Sequence, residues 1–475
     1  MSVPLEYLTA REAVDLFASR QLSPVELMQA LLARAERLCG SINATTAIHA
    51  EAALAQARLS EARYRAGTQR PLEGVPVAIK EETSVAGWSR TIGSWLHDEV
   101  AAENHPIVDK LLQAGAIPHL QTTVPEFCLI GQTWSSRYGV TRNPWNPSIT
   151  PGGSSGGSGA ALAAGLAPLA TGSDMGGSTR IPAALNGLYG YKPPFGRLAS
   201  TPGEELFSFA VEGPLARSYD DLVVMQNVIR GPHPASYCGM PGEPLPATYP
   251  ELDGMRIACA IPAAGICADT RRNLQLACEL LRSRGAQVES VALDWNLGET
   301  GDVLIEAIFG LFFDEYLEGY GPEALARGTP YLDWLIGRFR GRRNSIMRAA
   351  ALASQMHREL DAKLWSRGVR ALLCPTVLTT TVPADLDLTE IRSLDIDGTM
   401  VDSYLGWVWT TPFNLLSRYP ALAVPTGMAA NGVPTSMQIV APPFADETVF
   451  AVAYHHSLAA GSELYRSRFP DLPHA

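Results

Sequence analysis

Gly152-Gly153-Ser154-Ser155-Gly156-Gly157-Ser158-Gly159, an apolar run from Ala160 to Ala170, and Gly172-Ser173-Asp174-Met175-Gly176-Gly177-Ser178-Thr179-Arg180 form one stretch of this chain. Two Gly/Ser loops thus bracket a segment of almost nothing but Ala, Leu and Gly. Glycine admits positive φ and lets a backbone approach a ligand with no Cβ in the way. Serine supplies a hydroxyl that becomes a nucleophile when a base reaches it. A flexible linker is the competing reading of such composition. Linkers, however, seldom enclose an apolar segment suited to burial. A phosphate-binding P-loop is excluded, because no Gly-Lys-Ser/Thr follows the glycines.

The stretch Gly152 to Ser158, with Gly172 to Ala183, resembles the signature of the amidase signature family, and Ser154 and Ser178 stand at the spacing that family uses. Upstream, Gly74-Val75-Pro76-Val77-Ala78-Ile79-Lys80 is similar to the segment that carries the family's catalytic lysine. The likeness runs from the helix near Ser23 to Gly432-Val433-Pro434 and Met437-Gln438. It implies an α/β fold with a large mixed, mostly parallel central sheet covered by helices on both faces. The implied organisation is one domain, 1–475. Within it, 1–70 holds N-terminal helices and 71–230 the signature core. Residues 231–370 form a variable, mostly helical substrate-side region, and 371–475 the closing strands and helix. Two departures stand out. Glu81 and Glu82 follow Lys80 where the family usually has aspartate, and Ser436-Met437-Gln438 stands where it has Gly-Leu-Gln.

Composition sets outer bounds. At 475 residues the length alone suggests two or three domains, and the resemblance overrides that prior. With 46% hydrophobic residues a core is amply supplied. A net charge of −11 argues against nucleic acid as a partner, since phosphate binding needs a basic surface. The seven cysteines are scattered and odd in number, as expected of buried thiols in a reducing cytoplasm rather than disulfides or a metal site. The first eight residues lack the basic flank and apolar core of a secretory leader. No run of eighteen apolar residues is present, so no membrane association is expected.

Taken in order, Thr9 with Glu12 and Ser23 with Glu26 read as capping boxes of two helices within 9–40. Ala50 to Arg65 predicts a third helix. Val75 to Lys80, punctuated by Pro76, predicts a strand at the edge of the core. His105-Pro106 opens a helix that stops at Gly115, and Ala116 to Gln121 returns as a strand in a βαβ rhythm. Helices are expected near 220–229 and 270–284, strands at 255–261 and 287–293, and helices across 300–350. There Ile305, Ile308, Phe309, Phe312 and Tyr316 fall at helical spacing. Leu372 to Thr376 reads as a buried strand.

The resemblance carries the chemistry. It implies that Ser178 attacks the carbonyl, and that Ser154, after a cis peptide bond, relays the proton to Lys80. It also implies that the backbone N–H groups of Met175, Gly176, Gly177 and Ser178 cradle the oxyanion. Lysine acts as a base only when neutral, so burial is expected to lower the pKa of Lys80. Cys128, Gly153, Ser155, Trp134 and Phe309 are the candidate substrate contacts. No cofactor and no metal site is implied, and the nine histidines sit in no serine motif. The leading reading is a stand-alone cytoplasmic hydrolase of small, neutral aryl or alkyl amides, with esters or carbamates as further substrates and a homodimer as one assembly. The alternative is the glutamine-hydrolysing A-type subunit of a tRNA-dependent amidotransferase.

Overall fold

The computed structural model describes residues 3–472 apart from 202, 294 and 462. Eleven strands form one sheet: β1 (Thr45–Ile48), β2 (Pro76–Lys80), β3 (Ile117–Thr122), β4 (Leu169–Asp174), β5 (Tyr189–Lys192), β6 (Val211–Ala216), β7 (Arg256–Cys259), β8 (Gln287–Ser290), β9 (Ala371–Pro375), β10 (Ala421–Met428) and β11 (Pro434–Val440). Their order across the sheet is β1-β3-β2-β4-β6-β5-β10-β11-β9-β7-β8.

The expected large mixed sheet is present, but its parallel majority is not. Only β2 with β3 and β4, and β7 with β8 and β9, pair in parallel. The remaining neighbours are antiparallel. The βαβ rhythm describes the two flanks, where a helix separates successive strands. The centre is built differently. There β10 and β11 form a hairpin closed at Ala429–Val433, and β4 and β5 both pair against β6. A second correction concerns β2, which is not an edge strand. It lies between β3 and β4 with all five residues buried. Pro76 is tolerated because it is the first residue of the strand, where a missing N–H breaks little of the ladder.

Alternation along the strands separates two cores. Val77 and Ile79 of β2, and Ala371 and Leu373 of β9, face one side, whereas Ala78, Leu372 and Cys374 face the other. The N-terminal helices α1 (Ala10–Ala18) and α2 (Pro24–Ile42) begin with the two expected capping boxes, and α3 (Ala50–Ala66) ends on left-handed Gly67. On the first face lies α4 (Pro106–Ala114), stopped by left-handed Gly115 and capped by His105. The signature supplies α5 (Gly156–Ala163) and α6 (Arg180–Asn186), both wholly buried on the opposite face. Helices α7 (Tyr219–Ile229) and α8 (Ala268–Ser283) return to the first face. Helices α9 (Leu297–Ile308), α10 (Pro330–Phe339) and α11 (Ser345–Lys363) pack on the second, and α12 (Asp446–Ala460) closes the first. Each fully buried Leu, Ile or Phe in these cores contributes about 1.5–3 kcal/mol. No helix among the described residues is long and apolar enough to cross a membrane.

Candidate active site

The parallel strands β2 and β4 deliver their C-terminal ends to one place. Lys80 closes β2 and Ser173 and Asp174 close β4, while the Gly/Ser loop before α5 brings Ser154 over both. The backbone N–H of Lys80 donates to Thr171 Oγ1 at 2.9 Å, which fixes the side chain's starting point. Its Nζ then donates to Ser154 Oγ at 2.8 Å and to Ser173 Oγ at 2.7 Å, and pairs with Glu82 Oε1 at 2.7 Å. Three acceptors match the three protons of an ammonium. The Ser173 hydroxyl in turn donates to Glu82. The peptide bond between Gly153 and Ser154 is cis, as the resemblance implied.

Ser178 sits between β4 and α6 on a loop held by a buried network. Asp174 and Arg180 are both fully buried and pair in two parallel contacts, Nε to Oδ2 and Nη2 to Oδ1, each 2.9 Å. Asp174 also accepts the Gly177 N–H at 2.9 Å and an Asn414 Nδ2–H at 2.9 Å. The other Arg180 nitrogen reaches Gln438 Oε1 at 2.8 Å, and Nη2 also donates to Asn414 Oδ1 at 2.8 Å. Gly177 has φ of +120°, and a Cβ there would collide with the Thr410 hydroxyl, so only glycine fits. The Ser178 carbonyl accepts from Ser155 N at 3.2 Å, tying the two signature loops together, and Ser178 itself is 9% exposed.

The charge of Lys80 runs against expectation. Burial disfavours the ammonium, yet the Glu82 carboxylate 2.7 Å away holds its pKa above the ordinary lysine value. Glu82 is half-buried, and Lys80 holds it below the usual carboxylate range against the desolvation. Burial raises the Cys128 thiol well above its usual value, and Glu82 beside it adds to the rise. Both shifts and the 2.7 Å contact favour the ion pair over a neutral lysine.

A cavity of about 200 Å³ opens in front of Ser154. Phe127, Phe207, Phe312, Phe313 and Tyr316 wall it, and Glu82, Glu204, Glu212, His105 and Arg90 supply its ionisable groups. Of the candidate contacts, Cys128 lies on this lining, as does Met175. Ser155 instead pairs with the backbone of Ser173, accepting its N–H at 3.3 Å. Gly153 lies against the Gln132 carbonyl. Trp134 packs edge-on against Tyr331 with ring centroids 4.8 Å apart, and Phe309 is buried against Phe313 and Phe339 behind the cavity. Phe309 to Phe313 form a π-helical turn, which breaks the simple helical spacing and turns Phe312 and Phe313 to the opening. Sequence reasoning missed Glu204, His105 and Glu212 as site residues. Glu82 stands two positions after Lys80, but in a turn closed by the Thr83 N–H on the Lys80 carbonyl at 2.9 Å, so strand alternation could not place it beside Nζ.

A family model described as Amidase matches residues 26–450. The A-type subunit of the glutamyl-tRNA(Gln) amidotransferase of Neisseria meningitidis is 31% identical over 482 residues, covering 97% of this chain and 99% of that protein. Among solved structures, a bacterial aryl acylamidase superposes with a TM-score of 0.88 at 24% identity, covering 98% of this chain and 99% of that one. The 6-aminohexanoate cyclic dimer hydrolase superposes with a TM-score of 0.82 at 25% identity, covering 99% of both chains.

Proposed function

The chain belongs to the amidase family of carbon–nitrogen hydrolases, and from that premise we propose that it hydrolyses small aryl or alkyl amides through an acyl-serine intermediate. The observation that carries the reading is the 2.8 Å contact between Lys80 Nζ and Ser154 Oγ, beneath the loop that bears Ser178. In the proposed sequence Lys80 first loses one proton. Ser178 Oγ then attacks the amide carbonyl, its proton passes to Ser154, and the Ser154 proton passes to Lys80. The C–N bond breaks as Lys80, through Ser154, returns a proton to the departing amine. Water enters, gives up a proton along the same path, and releases the acid from Ser178. The N–H groups of Met175, Gly176 and Ser178 serve the oxyanion, while that of Gly177 is engaged by Asp174 and holds the loop.

The cavity supports the substrate class. Its aromatic walls suit an aryl or alkyl body. Arg90, the arginine on the lining, already pairs with Glu99 at 2.6 Å. The α-carboxylate of glutamine would meet carboxylates instead of a free cation, at a cost of several kcal/mol. The test uses the purified chain alone. Ser178→Ala is expected to lose several orders of magnitude in rate while keeping the fold, and intact-mass measurement during turnover should show an acyl adduct on Ser178. Anilides should turn over with higher kcat/KM than glutamine. Comparable or better use of glutamine would favour the amidotransferase reading, which the 31% identity to a component of such an enzyme supports.

A further inference from the structure

A second cavity lies apart from the catalytic one and shares no lining residue with it among the described residues. Its volume is about 330 Å³, against about 200 Å³ in front of Ser154. The loop after β7, the first turn of α9 and the strand Thr399–Asp402 of a small hairpin meet there with Gly406 and Trp409. Asn296 caps α9 by accepting the Glu299 N–H at 3.2 Å, which brings Leu297 and Gly298 onto the lining. Asp402 accepts the Tyr404 N–H at 2.9 Å and pairs with Arg338 at 3.3 Å. Both strong acceptors on the lining are thus engaged. The walls are otherwise largely apolar, with Leu293, Trp295, Leu378 and Val401 among them. The Trp295 indole is satisfied too, donating to Glu359 at 2.8 Å. Trp409 differs. It is 3% exposed, and its Nε1, the side chain's one polar atom, is buried without a hydrogen-bond partner. Buried polar atoms are rarely left so, and an indole N–H only donates, so what it lacks is an acceptor.

We propose that this cavity is a second ligand site, which takes a neutral aryl compound whose carbonyl oxygen accepts from Trp409 Nε1. Size permits it, since an apolar cavity of about 150 Å³ already binds benzene, and here there is room for a ring with a short polar arm. The Trp295 and Trp409 rings on the lining offer that ring face and edge contacts. Charge selects the class. Asp402 is the charged residue of the lining among the described residues, so a carboxylate would meet a like charge with no lysine, arginine or histidine to offset it. An ammonium would compete with Arg338 for the same oxygen and leave the Trp409 N–H unanswered. A small apolar cavity with one placed polar group is the usual form of a small-molecule site, and Trp409 is the placed group. The assignment stands apart from the amide-hydrolase reading, because no residue named for that chemistry lines this cavity.

The test follows indole N–H resonances of the full chain labelled with 15N-tryptophan. The Trp409 signal is assigned as the one missing from Trp409→Phe, and the Trp295 signal as the one missing from Trp295→Phe. Acetophenone is titrated against ethylbenzene, which keeps the ring and carbon skeleton and lacks the oxygen. Acetophenone is expected to move the Trp409 signal downfield and to saturate, whereas ethylbenzene should give no downfield shift. In Trp409→Phe the ring stays and the donor goes; acetophenone, followed at Trp295, should then bind about fivefold more weakly. Gly298→Leu fills the cavity. A Cβ on Gly298 would meet Asn296 and Asp402 no closer than 3.5 Å, so the variant should fold and lose the Trp409 shift. Should it fail to fold, the Trp409→Phe comparison decides alone. No saturable shift at Trp409, an equal downfield shift with ethylbenzene, unchanged acetophenone affinity in Trp409→Phe, or a shift that survives in folded Gly298→Leu overturns the site. No turnover is read, so failure of the hydrolase reading would leave this outcome untouched.

Discussion

Three acceptors surround Lys80 Nζ, and Glu82 is the one that carries charge. Removing that charge changes how readily Lys80 gives up its proton. The Lys80 pKa is raised in the fold, so the neutral base forms only on the alkaline side, and activity should climb with pH through the neutral range. Glu82→Gln keeps an acceptor and deletes the charge. The alkaline limb of log kcat/KM against pH should then move down by about 1–3 units. A limb that stays in place would show that Glu82 does not govern the base. The segments that bring Lys80 against Ser154 were legible in the sequence because each motif is contiguous. The charge state was not, because it depends on where Glu82 points after the chain turns away from β2.

The element that holds Ser178 is the turn between β4 and α6, and its rigidity comes from one buried ion pair. Asp174→Asn leaves the Arg180 guanidinium buried without its counter-charge, and Gln438 and Asn414 supply only neutral acceptors. Breaking such a pair typically costs about 3–5 kcal/mol, so the midpoint of thermal unfolding should fall clearly. Activity should fall with it, because the Gly177 N–H loses a charged acceptor at 2.9 Å. Unchanged stability on a differential scan would refute this account of the turn. Elements with local signals were readable: both capping boxes, the Gly115 stop and the apolar strand at Leu372 each occur as expected. Strand direction was not, since β6 inserts between β4 and β5, and β5 takes as its other neighbour β10 from the far end of the chain. The π-helical turn at Phe309 was equally hidden, because it inserts into a spacing that otherwise looks helical.

Across the whole molecule, the sheet knits distant parts of the chain together. Ala421 of β10 lies opposite Lys192 of β5, so residues from the two halves share one continuous ladder. Thermal unfolding should therefore proceed as a single calorimetric transition with matching van't Hoff enthalpy, and two resolved peaks would contradict it. The signature core and the closing strands were legible as separate stretches; their adjacency was not, because no local pattern records it. The Ser154 hydroxyl and Lys80 rise from the packed centre of this sheet, where a Cβ at Gly157 would collide with the Thr123 backbone. The cavity's outer wall comes from elsewhere, residues 204–212 and 312–316, where Leu206 is exposed to solvent. Diversity can therefore be tolerated in the wall and not in the centre. A combinatorial library confined to those two segments should recast which amides are accepted while every surviving clone still cuts the bond in the same way.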